Sequence, residues 1–432
     1  MTNSTVRYWG SIADLSDADR SRLCNRTAAR DPEVVESTAA IIRRVRAEGD
    51  SALIALAALL DRVKIDSLEV PKKIWRRSLD SLDRQIRLAL ERAINNLTTV
   101  HEAFRPTASE IVPEPGILVG RRPDPLDRIG LYAPGGRAAY PSSLLMGAIP
   151  ARVAGVREII ACSPPADDGL PSRLVLAAAE LAGVDRLYRI GGAGAIAAMA
   201  YGTESIPAVD RIVGPGNIWV AEAKSQVAGQ VPIDAPAGPS ELLVLADNDS
   251  SPEAIVREIL AQAEHDPEAA VAVVIIGGSI DSVAAELPAA VAAAPKGAVI
   301  AASLRKHGAL LSAASVDDAV KFANEYAAEH LLLLMRDSAL VLPKLRNAGT
   351  VFVGESSSVA FGDYLTGANH VLPTGGAGRR WSGLSVGDFY RWTTWQRVDR
   401  AAAQRLATDT ATLAAAEGLP SHAAAAGYWR QG

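Results

Sequence analysis

Cysteine is scarce in this chain of 432 residues: Cys24 and Cys162 are the only two, and they stand far apart without metal-type spacing. Such a pair argues against a disulfide framework and favours a reducing compartment. Long apolar runs are also missing, since no uncharged apolar stretch approaches the roughly 18–20 residues of a membrane span. The first thirty residues lack a basic segment followed by an apolar one. We therefore expect a cytoplasmic protein without a membrane segment.

An excess of positive charge is absent too, because the formal net charge is −5 and the isoelectric point is about 5.8. This balance disfavours a polyanion-binding surface, so no nucleic acid partner is expected. Hydrophobic residues make up 49% of the chain and charged residues 22%, as in ordinary globular proteins. The length exceeds the ~250–300 residues at which a single core stops growing, so two or more domains are expected.

Short apolar runs alternate with helical segments from residue 128 onward. In a first series, the predicted strands are 128–132, 158–162, 185–190 and 210–213, and the helices are 174–182, 195–201 and 218–227. In a second series, the predicted strands are 241–246, 270–276, 298–301, 331–335 and 350–353, and the helices are 250–264, 281–294 and 317–328. This alternation is typical of βαβ units with parallel sheets. We predict an α/β fold with two doubly wound, incomplete Rossmann-like sheet domains.

The predicted order is an N-terminal arm (1–27), a discontinuous first α/β domain (28–107 and 240–382), a second α/β domain (108–239) and a helical C-terminal tail (383–432). Residues 32–104 have the apolar spacing of amphipathic helices, and His101 at their end is predicted to lie on the surface. The proline- and glycine-rich stretch 106–125 marks a boundary. The arm has too few apolar residues for a core of its own, so it should pack on a larger body, as should the tail.

Three glycine-rich turns follow predicted strands. GAGAIA at residues 192–197 matches G-x-G-x-x-A, with Asp210 eighteen residues beyond the first glycine. APGG at residues 133–136 and GPGN at residues 214–217 lie where amide groups at a helix N-terminus could meet a pyrophosphate. Structural turns explain each stretch about equally well, so a dinucleotide site is one of two open interpretations.

Gln262 and His265 stand three residues apart at the end of a predicted amphipathic helix, so their side chains share one face. With Asp363 and His422 they form a set of nitrogen and oxygen donors that suits zinc. A polar helix end before Pro267 is the simpler explanation of this stretch alone.

The remaining histidines with polar neighbours are His330 and His370. Glu329 directly precedes His330, and Asn369 precedes His370. An adjacent Glu-His pair suits a reaction that needs proton transfer near neutral pH, because imidazole titrates there and a carboxylate tunes it. The residues thus indicate a metal-containing α/β enzyme, with a dinucleotide as a further option.

Ten segments, in order along nearly the whole chain from about residue 30, carry a family resemblance. They are GLYAPGG (130–136), YPSSLLM (140–146), AYGTESIP (200–207), VGPGN (213–217), IDAPAGPSE (233–241), QAEH (262–265), EHL (329–331), GDY (362–364), NHVLPT (369–374) and EGLPSH (417–422). Together they resemble the histidinol dehydrogenase family.

The resemblance implies oxidation of L-histidinol to L-histidine through the aldehyde, with two NAD and one zinc ion per subunit. It implies a homodimer whose tail reaches the neighbouring subunit, with His330 as the base and Glu329 as the activator of water. The implied zinc ligands are Gln262, His265, Asp363 and His422. The implied substrate contacts are Ser240, Gln262, His265, His330, Asp363, His370, Glu417 and His422. The implied NAD contacts are Tyr132, Asn217 and Gly194, the last at a position where the family usually has Gln.

Two further departures keep alternatives open. Ala328 stands where the family commonly has proline before Glu-His, and Arg379 and Arg380 make the segment after His370 unusually basic. A basic cluster near the site would suit a paralogous zinc and NAD alcohol dehydrogenase that acts on an anionic diol, sulfonated or carboxylated. The third hypothesis is a non-catalytic, zinc-stabilised dimer scaffold.

Overall fold

The computed structural model describes residues 5–26, 31–135, 140–235 and 238–430. The strands are β1 Tyr8–Ser11, β2 Ser109–Ile111, β3 Ile117–Pro125, β4 Arg128–Tyr132, β5 Glu158–Ser163, β6 Arg186–Arg189, β7 Arg211–Val213, β8 Glu241–Asp247, β9 Ala270–Ile276, β10 Ala309–Ala313, β11 His330–Leu334, β12 Thr350–Val353 and β13 Tyr390–Val398. The helices are α1 Asp17–Cys24, α2 Pro32–Glu48, α3 Asp50–Leu56, α4 Lys72–Asp80, α5 Arg84–Ala103, α6 Pro141–Ala154, α7 Arg173–Leu181, α8 Gly192–Tyr201, α9 Ile218–Val227, α10 Pro252–Ala263, α11 Asp281–Ala293, α12 Gly297–His307, α13 Val316–Tyr326, α14 Ser338–Val341, α15 Val359–Tyr364, α16 Arg400–Ala416 and α17 Pro420–Gly427.

The larger sheet has six parallel strands in the order β1-β10-β9-β8-β11-β12. Its central strands are almost continuously apolar, as expected where both faces are covered. Leu242 and Val244 pack with the helices α10, α11 and α12 on one face. Leu243 and Leu245 pack with α13 and α1 on the other face. Successive residues of β8 therefore enter opposite halves of the core.

The smaller parallel sheet has four strands in the order β6-β5-β4-β7. The chain winds outward from β4 to β5 and β6, then returns to place β7 on the other side of β4. The strand order thus reverses between β4 and β7, which is where α/β sheets form a ligand-binding crevice. The predicted α/β class with parallel sheets is confirmed.

The helices α2 to α5 pack on the four-stranded sheet. Leu53 and Leu56 of α3 share a core with α8 and α9, while Trp75 and Leu97 join the core under α6 and α7. This packing contradicts the grouping of residues 28–107 with residues 240–382. Apolar periodicity indicates that a helix has a buried face, but it does not tell which sheet covers that face. The remaining domain bounds stay predictions.

His101 of α5 is only 2% exposed, so its predicted surface position is wrong. Burial lowers the pKa of this imidazole. The helix turns His101 inward with the apolar residues Leu90, Ala93 and Leu97.

The N-terminal arm packs on the six-stranded sheet, as expected. Strand β1 pairs with β10 at the edge of this sheet. Helix α1 is held to α13 by Arg20, whose guanidinium donates to both carboxylate oxygens of Glu325 at 2.5–3.0 Å. Part of the arm, residues 1–4 and 27, lies outside the described residues.

Two segments differ from the predicted elements. Residues 298–301 lie in the helix α12, not in a strand, and the strand β10 begins only at Ala309. The tail contains the strand β13, which pairs antiparallel with β3 and forms a three-stranded sheet with β2. Within the described ranges, no helix is both long and apolar enough to cross a bilayer.

Candidate active site

The candidate site lies at the amino ends of β8 and β11. The chain leaves α13 through Ala327, whose φ of 51° is left-handed, and reaches Glu329 and His330 directly afterwards. In the parallel ladder, His330 is paired with Leu242, so Ser240 and Glu241 lie beside the Glu-His pair. A pair that is adjacent in sequence is thereby fixed by a strand about ninety residues earlier.

Glu329 is buried, and its Oε2 atom accepts two hydrogen bonds. The Ser240 hydroxyl and the Glu241 backbone N–H each donate to it at 2.7 Å. Burial raises the pKa of the Glu329 carboxyl to about 7, although His330 and the two hydrogen bonds oppose the rise. The carboxyl is therefore able to exchange a proton near neutral pH.

His330 is 4% exposed and has two different ring nitrogens. Nδ1 donates to the Glu241 carbonyl at 3.0 Å. Nε2 has no hydrogen-bond partner and lies 3.6 Å from Asp363 Oδ1, which is too long for a hydrogen bond. Burial disfavours the imidazolium, but the Glu329 and Asp363 carboxylates outweigh it and raise the pKa of His330 to about 9.

A small cavity in front of His330 is lined by Phe352, Asp363, Asn369 and His370, among others. His370 Nδ1 donates to the Asp363 carbonyl at 2.7 Å, and its Nε2 lies 3.4 Å from the Ser143 hydroxyl. Because Ser143 belongs to α6, the cavity adjoins the body built on the four-stranded sheet. Asn369 strengthens this link by donating to the Met146 carbonyl at 2.6 Å.

Three of the four predicted zinc ligands lie around the cavity or at the nearby end of α10. Gln262 in the last turn of α10 is 3% exposed, and its amide nitrogen has no partner. His265 follows the helix and is exposed. Asp363 lies close enough to His265 and His330 for their charges to interact, and these imidazoles lower the pKa of its carboxyl against the effect of burial.

The two predicted site residues of the tail, Glu417 and His422, are not brought to the three zinc ligands named above. Glu417 follows α16 and His422 lies in α17, and both side chains are exposed. Among the described residues, no cluster of three or more His, Cys, Asp or Glu side chains could hold a metal ion. Of the four predicted zinc ligands, Gln262, His265 and Asp363 therefore belong to this end of one chain, and three ligands would leave the usual fourfold shell of zinc incomplete.

The predicted NAD contacts lie at the carboxyl ends of β4 and β7. Tyr132 ends β4, is 4% exposed, and its hydroxyl accepts from the Gly192 N–H at 3.1 Å. Burial raises the pKa of this phenol to about 12. Asn217 caps α9 by accepting from the N–H groups of Trp219 and Val220 at 3.1 Å. These residues stand on the two sides of the strand-order reversal.

Gly194 lies inside α8 rather than in the turn. A Cβ at this position would meet methyl carbons of Leu56 and Leu53 at 3.2 and 3.3 Å. A side chain would thus point at α3 and not into the crevice, so the direct role of Gly194 is close helix packing. Gly136, in the first glycine turn, lies outside the described residues, as do 236 and 237 in the segment before Ser240.

A buried ion pair holds the turn that carries Asn217. Lys224 of α9 bonds to Asp234 and donates to the Gly214 carbonyl at 3.0 Å. Asp234 accepts from the Gly214 N–H at 2.7 Å. Both charged side chains are at most 4% exposed. Gly214 has φ of 121°, and a Cβ there would lie 2.2 Å from the Tyr132 carbonyl, so only glycine fits.

Sequence reasoning missed several residues of this site. Glu241 was noted only as the end of a motif, although its backbone binds both members of the Glu-His pair, and Arg26 in turn bonds to its carboxylate. Phe352 packs beside His330, with ring centroids 6.0 Å apart. The adjacent motif segments were the available signal for Glu241, but no local pattern indicated Arg26.

The basic cluster faces away from the cavity. Arg379 donates to the backbone carbonyls of Glu325 and Gly376, and it lines a separate cavity with Arg20 and Cys24. Arg380 is exposed. The structure therefore gives no support to the idea that Arg379 recognises an anionic substrate beside His330.

Comparison with known proteins covers nearly the whole chain. A profile of the histidinol dehydrogenase family matches residues 24–429. Histidinol dehydrogenase of Natronomonas pharaonis is 48% identical over 419 residues, which cover 96% of this chain and 97% of that protein. The enzyme of Methanosarcina barkeri is 39% identical over 415 residues, covering 95% of each chain. The crystal structure of histidinol dehydrogenase from Elizabethkingia anophelis matches with a TM-score of 0.94 at 29% identity, over 100% of this chain and 99% of that one. Profile, sequence and fold agree, and the chain belongs to the histidinol dehydrogenase family.

Proposed function

We propose that this chain oxidises L-histidinol to L-histidine through L-histidinaldehyde, in two successive hydride transfers to two molecules of NAD. The observation that carries the proposal is the buried Glu329–His330 pair, whose free Nε2 atom lies at a cavity beside Asp363. Family membership supports the activity, because the relatives are named for it. A non-catalytic scaffold would gain nothing from the burial of two adjacent ionisable groups.

His330 is the proposed base of both oxidation steps. Its Nδ1–H bond to the Glu241 carbonyl fixes the tautomer of the neutral ring, so Nε2 is the atom that accepts a proton. With the pKa of His330 raised to about 9, the neutral ring predominates only at alkaline pH. In the first step, Nε2 takes the hydroxyl proton of histidinol as hydride leaves the same carbon. After it has released this proton to water, Nε2 takes a second proton from the hydrated aldehyde as hydride leaves for the second NAD. The fixed ring needs no reorientation between the steps.

Glu329 is the proposed activator of the water that attacks the aldehyde. Both recorded hydrogen bonds go to Oε2, so Oε1 remains for a water molecule. A pKa of about 7 lets the carboxylate accept a proton from this water and return it to solvent. Besides its proposed contact with the substrate, Ser240 then orients the Glu329 carboxylate.

Gln262, His265 and Asp363 would hold zinc together with His422 of a second copy of the chain. Bound zinc would hold and orient the imidazole and amino groups of the substrate. The position of Gln262 supports this assignment, because its side chain is buried in the last turn of α10, three residues before His265, and its amide oxygen would be the ligand atom. His370 and Glu417 are the remaining proposed substrate contacts.

NAD would bind in the crevice at the carboxyl ends of the four-stranded sheet, and it accepts the hydride in each step. Tyr132 and Asn217 flank the strand-order reversal there, which supports their assignment. The turns around this crevice also pack closely, since Gly191 and Gly135 both lie against Pro164. Such close packing favours a binding site of defined shape. Two incomplete Rossmann-like domains, one per sheet, remain the proposed arrangement.

A homodimer is the proposed assembly. Glu417 and His422 are exposed on the tail, whereas the candidate site of the same chain lacks both. Apolar side chains near them are exposed as well, including Leu413 at 67% and Tyr428 at 75%. At the candidate site, Phe361 and Tyr364 of α15 are exposed at 56% and 58%. Contact between such surfaces would bury both and complete the zinc shell. The proposed location is the cytoplasm, which suits two free thiols.

A panel of alcohols tests the substrate. We expect kcat/KM for L-histidinol to exceed that for sulfonated and carboxylated propanediols by at least about 10⁴-fold. The polar groups that bind the imidazole of histidinol would stay without a partner when another alcohol binds. An Arg379→Gln variant is the control and should leave this ranking unchanged. Preference for an anionic diol would contradict the proposed substrate while leaving the oxidoreductase class intact.

A further inference from the structure

Arg26 connects the N-terminal arm to the first residue of β8. Its guanidinium makes a two-point contact with the Glu241 carboxylate, at 2.8 Å from Nε to Oε1 and 2.7 Å from Nη2 to Oε2. The two side chains are 10% and 3% exposed. The same guanidinium donates to the Tyr326 and Leu23 carbonyls and lies 3.6 Å from the centre of the Tyr326 ring. Arg26 is thus fixed on every side.

Glu241 is the residue on which the Glu-His pair depends. Its N–H donates to Glu329 Oε2, and its carbonyl accepts from His330 Nδ1. Its side chain is held by Arg26 and by the Gly375 N–H at 2.8 Å. A shift of this side chain would therefore move the two backbone groups that orient the proposed base and the proposed water activator.

We infer that Arg26 is a positioning residue for the oxidation. It keeps Glu241 in place, and its positive charge balances the negative charge of Glu241 near Glu329 and His330. This inference rests on the proposed function, because it concerns the rate that this pair supports. Arg26 touches neither member of the pair and acts only through Glu241.

The charges around Glu329 also indicate that Arg26 supports the oxidation. The charged groups around Glu329 are His330 on its own strand and Glu241 on β8, while Arg26 is the cation that meets Glu241 from the arm. Burial raises the pKa of Glu329, and the Glu241 charge adds to the rise. Without Arg26, Glu241 would be a buried unpaired carboxylate and would disfavour the ionised form of Glu329 further.

A purely structural role is the alternative, in which Arg26 only holds the arm against the body. The chain offers a matched control for this alternative in Arg20, which forms another two-point ion pair between the arm and α13. Arg20 bonds to Glu325 and not to Glu241. If docking of the arm were all that matters, loss of either arginine would act alike.

The test compares the zinc-loaded full chain with R26Q, R26K, R26Q/E241Q and R20Q, using kcat and KM for histidinol and NAD from pH 6 to 10. We expect R26Q to lower kcat by about 10²-fold, the usual effect of a small misplacement of catalytic groups. Below about pH 9, its kcat should fall more steeply with decreasing pH than that of the wild type, because the Glu329 carboxylate would ionise at a higher pH. The KM for NAD should not change.

The other variants separate charge from geometry. The double variant R26Q/E241Q has no unpaired charge but also lacks the two-point contact, so the wild-type pH profile should return while kcat stays reduced, as in R26K. R26K keeps the charge but not the fork, so it should show a reduced kcat with a wild-type pH profile. R20Q should match the wild type in both. If R26Q fails to fold, the double variant and R26K still decide the question.

Three results would overturn the inference: unchanged kcat in R26Q or R26K, a pH profile in the double variant that stays shifted as in R26Q, or an equal loss of kcat in R20Q. Failure of the proposed function would look different, because the wild-type protein itself would form no NADH from histidinol. An active wild type with an unaffected R26Q would reject Arg26 as a positioning residue and leave the proposed function standing.

Discussion

At the residue scale, the neighbouring side chains of Glu329 and His330 differ in their hydrogen-bond partners. Glu329 is held by donors from Ser240 and Glu241, whereas His330 is held at Nδ1 alone and is free at Nε2. The carboxylate is thereby suited to polarise water, and the imidazole to accept a proton from substrate. Separate roles predict separate effects on the two oxidation steps.

His330→Gln should lower the rates of both steps by about 10²–10⁴-fold, the usual effect of removing an acid-base group. Glu329→Gln should slow aldehyde oxidation by a similar factor and spare the first step, so histidinaldehyde accumulates. NADH formation would be measured separately from histidinol and from the aldehyde.

His307→Gln is the matched control, since His307 is a partly exposed histidine paired with Glu268 at 3.1 Å, and it should have no effect. Zinc content should stay at the wild-type level in all three variants. Loss of zinc in His330→Gln would reassign His330 as a ligand, and an equal loss of both steps in Glu329→Gln would contradict its role with water.

The Glu-His pair was predictable from the sequence because its members are adjacent, but the geometry around it was not. The tautomer of His330 depends on a carbonyl 89 residues away, and Asp363 reaches Nε2 from another element. Spacing within one segment gives no information on such contacts. Gln262 and His265 were recognisable as a pair for the opposite reason, since both lie at the end of one helix.

At the element scale, the cofactor crevice depends on turns that must approach each other closely. The buried Lys224–Asp234 pair binds both backbone polar groups of Gly214 and so fixes the turn that ends in Asn217. Breaking the pair should leave an unpaired buried carboxylate and a loose turn.

Lys224→Met should lower the free energy of unfolding by about 3–5 kcal/mol, as expected when one partner of a buried ion pair is removed. It should also raise KM for NAD while kcat at saturating NAD stays within a few-fold of the wild type. Denaturant unfolding and steady-state kinetics measure the two effects. Lys306→Met, which breaks an exposed pair with Glu268, is the control and should change neither. An unchanged KM for NAD would limit the Lys224–Asp234 pair to a stabilising role.

Most buried elements were predictable because their patterns are local. The strands β4, β9 and β12 and the helix α9 begin and end where apolar runs and turn residues place them. Strand β13 was missed because it has no buried residue and is formed by pairing with β3, more than 250 residues earlier. Residues 298–301 were misassigned because a short apolar run fits a strand and a buried helix equally well.

At the scale of the whole molecule, one chain does not bring all of the proposed site residues together. Gln262, His265 and Asp363 lie on one body, while His422 and Glu417 are exposed on the tail. If a second copy of the chain completes the site, a mixture of two inactive variants should regain activity that neither variant has alone.

His422→Ala and His330→Gln should each be nearly inactive as homodimers, the first with low zinc occupancy. A one-to-one mixture of the two variants, co-refolded, should regain about a quarter of the wild-type activity, because half of the dimers are mixed and each mixed dimer has one intact site of two. NADH formation and zinc per chain measure this recovery. No recovery, with mixed dimers demonstrated by mass, would mean that the tail serves its own chain or none.

The number of NADH molecules formed per L-histidinol consumed tests the central claim most directly. The reaction would be run to completion with the zinc-loaded protein and excess NAD, with L-histidine measured as the product. The proposed pair of oxidations, with His330 as the base in both and Glu329 activating water, predicts two NADH and one L-histidine per substrate. One NADH with accumulated aldehyde, or no NADH with zinc bound, would contradict it.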